Sequence, residues 1–386
     1  MKKVKQMAAL AMITLLAMNT VTPAFAQEQA VQTAYTVQYA QVEQLVLNDN
    51  LQVDSNERTI GSLSNENELK EKYDKISNTI TQTSAALMAI ISNPQTTSDL
   101  KKVAQGTNVA LSSLSAMLNS QEDASDDDYE LTELQVKLSN HQLVKAAQSM
   151  FSVYYQLQYH IEQLVNTRVI LQDAVKATQA QYDLKQGTAV AVADAKAAVA
   201  ALDTNITDLQ NQSKSIGYQM NRLLGHSYND QITFGTLPEP DSEYVEKINL
   251  KNDIAAAQAA SYKVQISQKQ RSILSDDTTA NRDQRQIKSN DAEMELQNIG
   301  ASMEMQYDTI QKQQAVLASE QQKLANAKLK QDQAQIRYNA GVLSAMEFTK
   351  DKNDYLTQKT TVETAAATLF WEIESYQWIV KGLPAS

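Results

Sequence analysis

Residues 337–348 read Arg337-Tyr338-Asn339-Ala340-Gly341-Val342-Leu343-Ser344-Ala345-Met346-Glu347-Phe348, and this stretch decides the fold. Tyr338 closes a long polar helical stretch and Gly341 follows it. Phe348 then opens an apolar ladder of Phe348, Tyr355, Val362, Leu369 and Tyr376. The same arrangement stands 156 positions earlier, as Tyr182, Gly187 and the ladder Val192, Val199, Ile206, Ser213, Met220. Each rung pairs with its counterpart at the offset that relates the two tyrosines, and only Ser213 is not apolar. A strict spacing of seven marks long helices packed side by side in a supercoil. The chain is therefore a duplicated helical hairpin.

Upstream of this repeat, residues 1–26 read as a secretory signal peptide. Lys2, Lys3 and Lys5 form a positive start, Met7 to Ala17 is apolar but too short to span a bilayer, and Ala24-Phe25-Ala26 is a small-residue cleavage pattern. The chain has no cysteine, which excludes disulfides, thiol catalysis and thiolate metal sites. No later stretch approaches the roughly 18 apolar residues a membrane helix needs. The mature chain is expected to be exported, and soluble or peripheral. Setting aside the three signal lysines leaves 31 Lys/Arg against 45 Asp/Glu, a net charge of −14, which argues against nucleic acid and anionic lipid as partners. Aromatics make up 6% and glycines number nine. Only Pro94, Pro238 and Pro240 interrupt the mature chain before its last residues. Such a composition suits a few very long helices, about 75 Å for 50 residues, rather than a compact globule.

Glycine and proline punctuate the chain. A first helix is expected from about Val42 to Ser92, stopping at Asn93-Pro94, and a shorter one from Ser98 to Asn119. The acidic run Asp126-Asp127-Asp128 starts a helix that reaches Tyr182, with Leu157, Ile161, Leu164, Leu171 and Val175 on one stripe. Gln186-Gly187-Thr188 turns the chain, and Gly225 caps the next helix. Ile232-Thr233-Phe234 alternates like a short strand, and Pro238-Glu239-Pro240 blocks helix. The second repeat starts near Val245, weakens over Ser275 to Arg285, resumes to Tyr338 and ends at Lys381-Gly382-Leu383-Pro384. Asn50-Leu51-Gln52-Val53 corresponds to Ser261-Tyr262-Lys263-Val264 at an offset of 211, so the first repeat carries about 55 extra residues. The expected organisation is a signal peptide (1–26), a first hairpin repeat (27–225) with an insertion at about 93–128, a linker (226–244) and a second hairpin repeat (245–386).

Chemistry-bearing constellations are few. His141, His160 and His226 lack metal-ligand spacing, and there is no nucleophile elbow, phosphate loop or glycine-rich fingerprint. Asp126-Asp127-Asp128 lacks the ligand alternation and turn glycine of a calcium loop. Trp371 and Trp378, seven apart, share a helix face and read as a helix–helix contact first and a ligand-stacking platform second, as do Tyr154, Tyr155 and Tyr159. Arg168 and Gln331 within the stripes suit either solvent or a water-filled lumen. No catalytic residue, cofactor or metal is expected. The turns are more specific, since a tight hairpin needs a residue tolerant of positive φ and glycine supplies it. Ala340-Gly341-Val342-Leu343-Ser344 exposes Val342 and Leu343 at a tip where nothing in the hairpin can obviously bury them. Two readings stand: an interhelical turn with Ser344 capping the next helix, or a docking knob for another helical hairpin.

These residues resemble the TolC family of outer-membrane efflux proteins. Arg337 to Phe348 looks like that family's tip motif. Leu223-Leu224-Gly225, with Ile232-Thr233-Phe234 and Leu237-Pro238, is similar to the join between its two repeats, and Val37 to Val53 and Ile248 to Ile266 to its repeat starts. The resemblance implies a subunit of two repeated long antiparallel helical hairpins; with no barrel strand read in this sequence, the expected fold is all-α with little or no β-structure. The resemblance further implies a homotrimer forming a twelve-helix periplasmic tunnel, and partnership with a membrane-fusion adaptor and an inner-membrane transporter. By position, Gly341, Val342, Leu343 and Ser344 would contact the adaptor, with Gly187 and Thr188 as their counterparts in the first turn, although four residues separate Tyr182 from Gly187 against two between Tyr338 and Gly341. The resemblance also implies the periplasm or outer membrane, or the extracellular side of a cell that lacks one. Family members insert two barrel strands per repeat, each needing about 9–11 alternating residues. Neither Ser275 to Arg285 nor Val103 to Leu118 alternates so, and no barrel strand is expected. The alternative reading is an extracytoplasmic structural or adhesive protein that keeps the fold without transport.

Overall fold

A computed structural model describes residues 34–61, 129–274 and 278–384. The expected signal peptide, the insertion at about 93–128 and the Asp126-Asp127-Asp128 run lie outside them. In order come β1 (Ala34–Val37), a single 3-10 turn (Tyr39–Gln41), α1 (Val42–Asp49), α2 (Leu51–Gly61), α3 (Tyr129–Asp183) and α4 (Ala189–Leu223). Then follow β2 (Gln231–Phe234), α5 (Ser242–Lys247), α6 (Leu250–Ala260), α7 (Tyr262–Ile273), α8 (Thr279–Asn339) and α9 (Ala345–Val380). The 55 residues of α3 and the 61 of α8 correspond to about 80 and 90 Å of helix.

The described chain forms two compact units. One comprises the residues up to Phe151, Ile216–Ile310 and those from Phe370 onward; the other comprises Ser152–Ser215 and Gln311–Leu369. In the first, β1 and β2 pair in parallel, with Ala34 opposite Gln231 and Val37 opposite Phe234. The buried ring of Tyr39 meets Phe151 and Phe370 edge-on at 5.5 and 4.9 Å, and its hydroxyl donates to Glu374 at 2.9 Å. Trp378 Nε1 donates to Gln148 Oε1 at 2.7 Å and Tyr376 donates to Asp253 at 2.8 Å, so both rings are buried with their polar atoms satisfied. Polar α8 contributes a narrow seam here, Ala292, Ile299, Met303 and Ile310, spaced as a coiled coil requires.

The second unit holds two antiparallel helix pairs. Gln158 donates to Ser213 at 2.7 Å and Arg168 pairs with Asp203 at 2.6 Å, which sets α3 against α4. Gln358 bridges to Glu320 at 2.7 Å between α9 and α8. Every residue of the two apolar ladders is buried or half-buried. In α4 a second seam position, Leu202, Leu209, Ile216 and Leu223, is buried as well. Burial of each such side chain contributes about 1.5–3 kcal/mol.

The single first helix expected from Val42 to Ser92 is corrected by the structure: it breaks at Asn50. The Asn50 backbone turns extended, with ψ 124°. Its Oδ1 accepts from the amides of Gln52 and Val53 at 2.8 and 3.1 Å, and its Nδ2 donates to the Leu223 carbonyl at 2.8 Å. The second repeat does the same between α6 and α7. Ser261 has ψ 115°, its hydroxyl accepts from the Val264 amide, and the Tyr262 amide donates to the Gly382 carbonyl at 3.1 Å. Each break is pressed by a helix end: a Cβ on Gly225 would lie 2.0 Å from the Asp49 carbonyl oxygen, and one on Gly382 2.1 Å from that of Ala260.

Four helix ends close with one hydrogen-bond pattern. The amides of Gly225 and His226 donate back to Arg222 and Asn221, and those of Gly382 and Leu383 to Ile379 and Trp378. At the two hairpin turns, Gly341 and Val342 donate to Tyr338 and Arg337, and Lys185 and Gln186 to Tyr182 and Gln181. The pattern requires a left-handed residue, and φ is +74°, +93°, +73° and +59° at Gly225, Gly382, Gly341 and Lys185. In the first turn that residue is therefore Lys185, at the offset of 156, and not Gly187 as the sequence suggests. Replacing Lys185 by glycine is expected to raise stability by up to about 1 kcal/mol in urea unfolding, and Gly341→Ala to lower it by about as much. Gly225→Ala or Gly382→Ala adds a backbone clash to the same strain and is expected to cost about 2–4 kcal/mol in the same assay.

Candidate functional site

The two hairpin turns superpose in sequence register. Thr188 and Ser344, 156 apart, each cap the following helix: Thr188 Oγ1 accepts from the Ala191 amide at 3.1 Å, and Ser344 Oγ from the Glu347 amide at 3.3 Å. In the second turn the Glu347 carboxylate returns to the Ser344 amide at 3.1 Å and accepts from its hydroxyl at 2.7 Å, completing a capping box. Those bonds from Ser344 hold the Glu347 carboxyl below its usual range. Tyr338 and Phe348 stack at 4.7 Å and brace the foot of the turn.

Of the residues singled out by sequence, Gly341, Val342 and Ser344 are exposed at the second tip, Thr188 is exposed at the first, and Gly187 is half-buried there. Val342 and Leu343 part company: Val342 is 69% exposed, whereas Leu343 is 9% exposed and packs into the hairpin. The expectation that both are uncovered is thus corrected for Leu343. A Cβ built on Gly187 would sit 3.2 Å from the Tyr182 amide nitrogen, so that glycine serves close packing rather than positive φ. Sequence reading passed over three exposed apolar residues, Leu184, Val190 and Met346. Val190 and Met346 are equivalent at the 156 offset, which could have found them. The tips together present a small apolar surface, Leu184 and Val190 on one and Val342 and Met346 on the other, mounted on rigid capped turns.

The other candidates have structural surroundings. His141 Nδ1 lies 3.1 Å from the Tyr262 hydroxyl, His226 stacks on Tyr35 at 3.9 Å, and His160 is buried, which pushes its imidazole down. Tyr154 and Tyr155 meet edge-on at 5.5 Å, and Trp371 and Gln331 are half-buried. Among the described residues, no group of three or more His, Asp or Glu could hold a metal ion, and no helix is long and apolar enough to cross a membrane. An open groove of about 460 Å³ between α3 and α4 is lined by Gln172, Val175, Lys176, Lys196 and Val199.

No family profile matches the sequence, and no curated protein is similar to it. Solved structures are. CusC, described for its folding and transmembrane channel formation, aligns over 90% of this chain and 96% of its own, with 13% identity and a TM-score of 0.50. VceC, an outer membrane protein of Vibrio cholerae, aligns over 89% and 96% with 13% identity and a TM-score of 0.48. The Campylobacter jejuni outer membrane channel CmeC aligns over 96% of both chains at 9% identity and a TM-score of 0.47. The likeness to CusC spans nearly the whole of both chains, and the fold is the TolC-type one: all-α, two repeated long antiparallel helical hairpins with almost no strand.

Proposed function

We propose that this chain is a non-enzymatic subunit of a TolC-like efflux or export assembly in the cell envelope, docking a membrane-fusion adaptor through its hairpin tips. One observation carries the reading: both turns repeat the same backbone bonds, a hydroxyl cap and one exposed apolar position, Val190 and Met346, at one offset, 156, although only one is built on glycine. A plain interhelical connection has no need to present Val342 and Met346, or Leu184 and Val190, to solvent. An adaptor hairpin laid against the tips would bury them, with Gly341, Ser344, Gly187 and Thr188 shaping the contact. The helix sides support a homotrimer. Leu329 and Ile336, seven apart on α8, are exposed, as are Val165 and Val169 on α3, and neighbouring copies would cover such stripes. An inner-membrane transporter would complete the assembly.

One observation favours the second reading, a structural or adhesive protein. α7 ends at Ile273 and α8 begins at Thr279, so the second repeat passes between them in five residues. That is shorter than a single membrane-crossing strand of about 9–11 residues. If transport is retained, the second repeat gives no strand to a barrel at this junction.

Capture of a membrane-fusion adaptor by the immobilised mature chain distinguishes the two. Val342→Asp is expected to reduce capture at least tenfold while leaving the thermal midpoint unchanged, because Val342 packs against nothing it needs for folding. Leu343→Asp should lower both, through an unpaired buried charge. Undiminished capture by Val342→Asp would remove the tip from the interface, and no capture by the unaltered chain would favour the structural reading.

A further inference from the structure

The break between α6 and α7 is held in one way more than its counterpart in the first repeat. Both breaks carry a side-chain cap and are pressed by a glycine closure, Asn50 with Gly225 and Ser261 with Gly382. In the second repeat the next residue, Tyr262, also reaches α3, where its hydroxyl lies 3.1 Å from His141 Nδ1. The equivalent residue of the first repeat is Leu51, which is 75% exposed and has no polar side-chain atom for such a tie. The repeated fold therefore does not require it.

His141 is half-buried. The Tyr262 ring meets its imidazole edge-on at 5.5 Å, and the Trp378 indole lies 5.9 Å away. The Lys381 ammonium already sits 4.5 Å from the centre of that indole, and Lys263, beside Tyr262, pairs with Glu295 of α8. The charges acting on the imidazole are those of Glu43 on α1, Lys137 on α3 itself and Lys381 just past α9. A neutral Nδ1 can accept the Tyr262 proton, whereas an imidazolium has donors only and leaves that hydroxyl to turn its proton elsewhere. Burial pushes the imidazole below the ordinary histidine range, and the two lysines add to this against Glu43. The opened joint takes up its proton at about pH 6.5 and the closed joint only at lower pH. This contribution to the packing of α7 is thus complete above about pH 6.5 and is lost as the pH falls. A second polar tie, from Lys269 to Glu130 at 2.5 Å, holds that carboxyl below its usual range and so outlasts the first. We propose that His141 and Tyr262 form an acid-released clasp: proton uptake by His141 gives up the Tyr262 hydroxyl and loosens the first turns of α7 from α3. The clasp lies in the first unit and does not depend on the reading of the tips.

Hydrogen exchange of residues 27–386 at pH 7.5 and 5.5, with each rate corrected for its intrinsic pH dependence, tests this. In the unaltered chain the amides of the first two turns of α7 are expected to open about fivefold more often at pH 5.5. In H141Q they should open equally at both, since the glutamine oxygen accepts from Tyr262 but does not titrate. Y262F keeps the histidine without the hydroxyl and should show the faster exchange already at pH 7.5. In W371F, where Trp378 is the sole indole, Trp378 emission should titrate together with the α7 amides, a readout that decides the matter if H141Q fails to fold. Unchanged α7 exchange across this range, an equal rise in H141Q, or Trp378 emission that titrates apart from the amides would overturn the proposal. So would a Y262F chain as well protected at pH 7.5 as the unaltered one.

Discussion

A helix must give its last carbonyls to some donor, and how this chain does so organises everything else. Lys185, Gly225, Gly341 and Gly382 each enter the left-handed region so that their amides, and the next ones, turn back onto the final turn. Two of these closures make the hairpin turns. The other two bring a bare Cα against a carbonyl, Gly225 on Asp49 and Gly382 on Ala260, at the places where α1 yields to α2 and α6 to α7. Those breaks are themselves capped, by Asn50 and Ser261. Each repeat is thereby pinned at both ends of its returning helix, and the seams between helices follow from that register.

Much of this was legible because the sequence repeats itself. The offset of 156 links Tyr182 to Tyr338 and the two ladders, and it holds for the backbone bonds of the turns, for their hydroxyl caps and for the exposed pair Val190 and Met346. The pairing of Asn50 with Ser261 was visible as an alignment, but not its meaning, because the flanking residues favour helix on both sides and one side-chain cap interrupts it. Lys185 was missed because a left-handed lysine carries no compositional mark, whereas nearby Gly187 does. Leu343 was misjudged because burial at a tip depends on packing that a linear pattern does not contain. The short strand read in Ile232-Thr233-Phe234 was found, but its parallel partner, Ala34–Val37, lies nearly 200 residues away.

In the proposed reading, function sits on the surface of this scaffold. The buried polar groups of the first unit, such as Glu374 beneath Tyr39 and Gln148 beneath Trp378, lock aromatic packing. The exposed surfaces that reading uses are the tips and the apolar stripes along α3 and α8. A fold shared with CusC at 13% identity keeps its architecture through wide divergence in sequence.

At the centre of the proposal, the exposed stripes of α3 and α8 face copies of the same chain around a tunnel. The most direct measurement is the molar mass of purified residues 27–386 by light scattering across a range of concentrations. The account predicts a mass three times that of the single chain, with no monomer persisting at high concentration. A monomer at every concentration would contradict it, and would leave the hairpins as a scaffold without a channel.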